Sequence, residues 1–175
     1  LGMRQAMAHR ETEREGVSVD PDHLMLTNGS MQGVTLSAEA LQENHGDTIL
    51  VEEYSYPGTL SAYRNLKLDM VGVPLDEGGM RPDKVEEQLE RLSKAQRLPK
   101  FIYTISTYQN PTGFVMPAQR RKQIIELGKH YGVPIIEDNC YADVHYEGPL
   151  EPAFYALDDD PNIIYLCSLS KILAP

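Results

Sequence analysis

At 175 residues the chain is long enough for one ordinary domain with a sizeable core, and its 41% hydrophobic and 24% charged residues exclude a disordered polymer. A net charge of −10, from 16 basic and 26 acidic residues, argues against nucleic acid or an anionic membrane as partner. No apolar run approaches the about 18–20 residues that span a bilayer.

The opening stretch, LGMRQAMAHRETEREG, carries several acids and neither an apolar core nor a cleavage site, so it does not read as a targeting peptide. Residues 2–16 predict an amphipathic helix that stops at Gly16. HLMLTNG (23–29) predicts a short strand running into a turn, and helical spacing follows over 30–45. TILVEE (48–53) is the continuously apolar kind of strand expected when both faces are covered. A helix over 57–65 and the strand KLDMVGVP (67–74) come next. PDKVEEQLERLSKA (82–95) places proline in its first turn, which suits a helix start. The strand KFIYTIS (100–106), a turn at NPTG (110–113), a helix over 117–131 and the strands VPIIED (133–138) and NIIYLCS (162–168) complete the order.

Strands separated by helices imply crossovers, hence a three-layer α/β/α domain with a mainly parallel sheet. In such sheets ligands sit beyond the carboxyl ends of the strands. What each strand delivers there is polar: Asn28-Gly29-Ser30, then Glu53-Tyr54-Ser55-Tyr56, Tyr108-Gln109-Asn110, Asp138-Asn139-Cys140-Tyr141, and Ser168-Leu169-Ser170-Lys171.

Taken singly, these groups have bland readings. NGSMQG offers backbone N–H groups at a helix start, where an anion gains about 0.3–1 kcal/mol, but it is equally an ordinary serine N-cap. Neither G-x-G-x-x-G nor G-x-x-x-x-G-K-[ST] occurs, so a dinucleotide fingerprint and a P-loop are unsupported. NPTG reads as a β-turn with Pro111 at its second position and Gly113 at its fourth. Asp138, at the end of a buried strand, could cap a following helix or hold a cationic ring nitrogen. Lys171 alone reads as a solvated lysine, and Tyr56 and Tyr141 as core or rim aromatics. Cys140 and Cys167 lack metal spacing and read as reduced thiols of a cytoplasmic protein.

Together, NGSMQG, VEEYSYPG, YQNPTG, IIEDNCY and SLSKILAP, in this order on strand ends, resemble the large domain of fold-type I pyridoxal-phosphate enzymes. The chain is most similar to class I/II aminotransferases of the 2-aminoadipate and broad-specificity branch. The resemblance implies the cofactor pyridoxal 5'-phosphate, with Lys171 forming the Schiff base and shuttling the proton. It implies that Asp138 keeps the pyridine nitrogen protonated. Asn110 and Tyr141 would meet the ring oxygen and Tyr56 would stack on the ring. Ser30, Met31, Gln32, Ser168 and Ser170 would complete the cofactor contacts, several of them at the phosphate.

The resemblance also implies a full-length homodimer acting on an amino acid and a 2-oxo acid. On this reading residues 1–175 are a partial large domain. The N-terminal segment and the small domain with its carboxylate-binding arginine lie outside it, and the isolated chain is expected to be inactive. The strand that would follow the lysine loop lies outside it too, so the first and last strands should flank a gap of about 9–10 Å. Two other functions keep the same motifs: another pyridoxal-phosphate reaction (β-lyase, decarboxylase or acyltransferase), or the aminotransferase-like sensor domain of a transcription regulator.

Overall fold

The computed structural model describes residues 2–173, and at its centre lies a five-stranded parallel sheet. In chain order the strands are β1 (Thr48–Glu52), β2 (Asp69–Val73), the antiparallel hairpin β3 (Leu75–Asp76) and β4 (Gly79–Met80), then β5 (Ile102–Thr104), β6 (Ile135–Asp138) and β7 (Ile163–Leu166). The hairpin stands apart from the sheet, whose order is β2-β1-β5-β6-β7. Every pairing in it is parallel. Helices α1 (Met3–Glu15) and α2 (Ser30–Leu41) precede the sheet. The crossovers carry α3 (Pro57–Asn65), α4 (Pro82–Lys94), α5 (Ala118–Tyr131) and the short α6 (Phe154–Leu157).

Side chains alternate across a strand, so a continuously apolar strand feeds two cores. On one face Ile49, Val51, Phe101, Tyr103, Ile105 and Ile136 pack with Val34 and Ala38 of α2 and Tyr63 of α3. On the other, Leu50, Ile102 and Ile135 pack with Val85, Leu89 and Leu92 of α4, Ile124 and Ile125 of α5, and Phe154 of α6. The α4 residues fall at intervals of four and three, one helical face, and all are buried. Each such side chain contributes about 1.5–3 kcal/mol on burial. The three-layer α/β/α arrangement expected from the sequence is therefore present. At Gly128 of α5 the chain turns back closely on the helix: a Cβ there would stand 2.9 Å from the Val133 carbonyl oxygen.

The expected strand at HLMLTNG is not one. After a 3-10 turn at Pro21–His23 the backbone is extended at Leu24, with φ −103 and ψ 133, but joins no ladder among the described residues. An extended segment becomes a strand only when a neighbour takes its N–H and C=O groups. β7 is accordingly an edge of the sheet among the described residues.

The second helix ends at Leu41 rather than residue 45, because Asp47 Oδ2 accepts from the Glu43 and Asn44 N–H groups, both at 2.8 Å. A side chain that takes those amides competes with further helical turns. The hairpin of β3 and β4, and α6, are elements the periodicity did not announce. Each strand of the hairpin has two residues and α6 has four, too few to show a period. α6 starts where Phe154 N–H donates to Glu137 Oε2 at 2.9 Å, a partner 17 residues away.

Candidate active site

Parallel strands bring their carboxyl ends to one edge, and the residues singled out from the sequence gather there. Asp138 closes β6 and is only 6% exposed. Its Oδ2 accepts from Tyr103 Oη at 2.7 Å and its Oδ1 from Cys140 Sγ at 2.8 Å. Tyr103 Oη lies 3.2 Å from Thr59 Oγ1, which is 4.0 Å from Met31 Sδ. With Tyr103 donating to Asp138, Thr59 has one hydroxyl proton for either Tyr103 or Met31, so the hydrogen-bonded chain to Asp138 runs from α3 through β5, with the start of α2 in contact with it. Burial pushes the Asp138 carboxyl above its usual range, and the bonds from Cys140 and Tyr103 hold that rise back. Among the described residues no cation contributes to this balance.

The loop after β5 meets the loop after β6 where Asn110 Nδ2 donates to Tyr141 Oη at 3.3 Å. Lys171 Nζ lies 5.8 Å from the centroid of the same tyrosine ring. Asn110, Tyr141 and Lys171 are therefore brought together from three strand ends. The NPTG turn differs from the expected four-residue turn. Gly113 N–H donates to Gln109 O at 2.6 Å, so five residues close the loop, and the Asn110–Pro111 bond within it is cis.

At the start of α2, Gly29 holds φ +78 with open space around its α-carbon, a left-handed conformation that suits glycine. Gln32 Oε1 accepts from Asn28 N–H at 2.6 Å, which ties the turn before Gly29 to the first turn of the helix. The Ser30 hydroxyl sits by the Cys140 thiol, which links the helix start to the Asp138 group. Ser168 and Ser170 hydroxyls are 2.9 Å apart, and the Ser170 N–H donates to Ser168 Oγ at 3.3 Å as a 3-10 turn leads to Lys171. Tyr56 is 40% exposed and its ring lies against Gly58 at the start of α3; it makes no hydrogen bond to the Asp138 group. Ala174 and Pro175, the end of SLSKILAP, lie outside the described residues.

Four contributors escaped the sequence reading: Tyr103, Thr59, Glu52 and Cys140 as a donor. Tyr103 alternates with Phe101 and Ile105 and so looks like core. Only the register that sets it against Ile136, two residues before Asp138, shows where its hydroxyl ends. Glu52 is 1% exposed and surrounded by donors. Its carboxylate accepts from Thr104 Oγ1 at 2.6 Å, Ile105 N–H at 3.0 Å, Gln109 Nε2 at 2.9 Å and Ser55 Oγ at 3.3 Å.

Burial pushes Glu52 up to about 7, with these four hydrogen bonds opposing the rise. In the unfolded chain the same group titrates near about 4.3. Between those values the folded state keeps a proton that the unfolded chain has released. Stability should therefore fall as pH rises from about 5 to 7, by about 3 kcal/mol, and level off above. Urea midpoints measured across this window test the sign, and a profile that climbs would contradict it.

Residues 2–174 match the family model of aminotransferase class I and II. The chain is 39% identical over 174 residues to aromatic-amino-acid aminotransferase 1 of Thermococcus litoralis, covering 99% of this chain and 41% of that protein. Its fold superposes with a TM-score of 0.92 on the crystal structure of Pyrococcus horikoshii kynurenine aminotransferase in complex with PMP. There the identity is 35%, with 98% of this chain and 42% of that chain covered. It is also 32% identical over 173 residues to the uncharacterised HTH-type transcriptional regulator YisV of Bacillus subtilis, covering 99% of this chain and 34% of that protein. The chain spans about two fifths of the length of the two enzymes and a third of the regulator. A family model met along nearly the whole length, by a sheet that carries its motifs in order at one edge, settles the family: this chain belongs to the class I and II aminotransferases.

Proposed function

We propose that this chain forms the cofactor-binding part of a pyridoxal-phosphate-dependent aminotransferase, moving an amino group from an amino acid to a 2-oxo acid. The observation that carries the reading is Asp138, a buried carboxylate with donors on both oxygens and, among the described residues, no cation beside it. A protonated ring nitrogen is the charge this site lacks. An anionic group fits the other end, at the Ser30 and Met31 N–H groups that open α2.

When bound, the cofactor supplies an aldehyde carbon and an electron-withdrawing ring. The chain's own groups do the rest. Asp138, stiffened by Tyr103 and Cys140, would hold a proton on the ring nitrogen. Lys171 Nζ would form the covalent link and carry a proton at the reacting carbon. Asn110 Nδ2 and Tyr141 Oη would orient the ring oxygen. The full protein would be a cytoplasmic homodimer, the dimer by family resemblance and the compartment by two unpaired thiols in an acidic chain. Among the described residues no helix is long and apolar enough to cross a membrane.

The test is addition of pyridoxal phosphate followed by borohydride reduction and peptide mapping. The label should be found on Lys171, and a label spread over other lysines would overturn the assignment. In the full-length protein Asp138→Asn should still bind the cofactor, since the hydrogen bond survives, but turn over about 10²–10³-fold more slowly. A variant as fast as the wild type would remove Asp138 from this role.

The YisV match favours one second reading, the ligand-sensing half of a regulator. It predicts the same label on Lys171 without amino transfer, so an assay of the full-length protein with an amino acid and a 2-oxo acid separates the two.

A further inference from the structure

The hydrogen bonds around Gln109 converge to an unusual degree. The residue is 2% exposed, and its side-chain amide has two donors and two acceptor sites. All four are used. Nε2 donates to Glu52 Oε2 at 2.9 Å and to the Tyr54 carbonyl at 2.6 Å. Oε1 accepts from Thr112 N–H at 3.0 Å and Thr112 Oγ1 at 2.7 Å. Its backbone closes the same loop, with N–H donating to Phe114 O at 2.9 Å and O accepting from Gly113.

Asn110, the next residue, is held far less well. It is half-buried, and its side chain makes one hydrogen bond, the 3.3 Å contact to Tyr141. Its place is set by the loop that carries it.

We propose that Gln109 is a positioning residue for the site: anchored on Glu52, it locks the loop after β5 to the loop after β1 and thereby sets Asn110 against Tyr141. Glu52 suits the anchor because it is buried and its four partners are all donors. Oxygen and nitrogen of the Gln109 amide are not interchangeable here. Reversed, the amide would set its oxygen against the Tyr54 carbonyl, acceptor facing acceptor, and its NH2 against the Thr112 N–H, donor facing donor. Glutamate at 109 would likewise set an oxygen against the Tyr54 carbonyl and add a second negative charge. The consequence for the cofactor rests on the pyridoxal-phosphate reading; the consequence for Asn110 does not.

The experiment compares wild type, Gln109→Met, Asn110→Ala and the double variant. In the cofactor-free protein, the Asn110 side-chain amide signal in nitrogen-15 NMR, identified by its loss in Asn110→Ala, should shift or broaden in Gln109→Met. An unmoved signal overturns the proposal even if the melting temperature falls, because a purely structural role would lower stability alone. With pyridoxal phosphate added, Gln109→Met and Asn110→Ala should each weaken binding about 2–10-fold and move the pH midpoint of the bound cofactor's absorbance in the same direction. The double variant should match Asn110→Ala, since a residue that acts through another adds nothing once that one is gone. Fully additive effects would overturn the proposal. A wild type that forms no absorbance band counts against the cofactor reading, and the NMR comparison then decides the positioning role by itself.

Discussion

Replacing Lys171 with alanine is expected to abolish the absorbance band that forms when pyridoxal phosphate is added, and, in the full-length protein, to slow amino transfer by at least about 10²–10⁴-fold. That range is the usual contribution of a positioned acid–base group alone; loss of the covalent anchor adds to it. Lys171 is exposed, and its ammonium faces the Tyr141 ring at 5.8 Å. A cation over an aromatic face at an exposed site is stabilised by only about 0.5–1 kcal/mol, so little binds the amine in place. Lys171→Ala should leave the melting temperature of the cofactor-free protein within about 2 °C of wild type, as for other exposed substitutions. Spectroscopy with and without the cofactor, alongside thermal unfolding, checks both halves. A variant that kept the band would move the anchor to another lysine.

Arg121→Ala should instead unfold the protein at markedly lower temperature. Arg121 is fully buried, and each of its five N–H groups has a partner. Nε donates to Met116 O at 2.8 Å, and Nη1 to Glu137 Oε1 at 3.2 Å and Pro152 O at 3.1 Å. Nη2 donates to Ser106 O at 3.1 Å and Thr107 Oγ1 at 2.9 Å. Removing it leaves the Glu137 carboxylate, itself 0% exposed, without a counter-charge. Burial already pushes that carboxyl upward against the pull of Arg121. Deleting one partner of a buried pair costs about 3–5 kcal/mol. In a domain of this size that lowers the melting temperature by about 6–20 °C. Calorimetry or circular dichroism measures it, and a shift under about 3 °C would show that the cluster relaxes around the loss. The same cluster carries the loop after β5, since Ser106 and Thr107 are its partners, so cofactor affinity should fall with stability.

The parallel sheet was legible because its signal is local and repeated. Ile49, Leu50 and Val51 are consecutive, and consecutive apolar residues in a strand need cover on both faces, which only crossover helices provide. α4 was legible for a similar reason: Pro82 starts it, and Val85, Leu89 and Leu92 repeat at helical intervals. The segment at Leu24 to Thr27 is extended without being a strand, because a short apolar run announces only extended backbone. Whether that backbone joins a sheet depends on a neighbour, which no local pattern contains.

The site divides in the same way. Asp138, Asn110, Tyr141 and Lys171 stood out as polar residues at strand ends, in an order that resembles one family. The layer architecture, the edge at which the chemistry gathers and the family are all written in residue order and short-range spacing. What supports those residues is set by the packed fold. Tyr103 reaches Asp138 across 35 residues, Gln109 reaches Glu52 across 57, and α6 begins on a carboxylate 17 residues upstream. A hydrogen bond depends on the positions of two atoms to within a few tenths of an ångström. For groups on different strands, that separation is set by register and packing, and neither can be read from either segment alone.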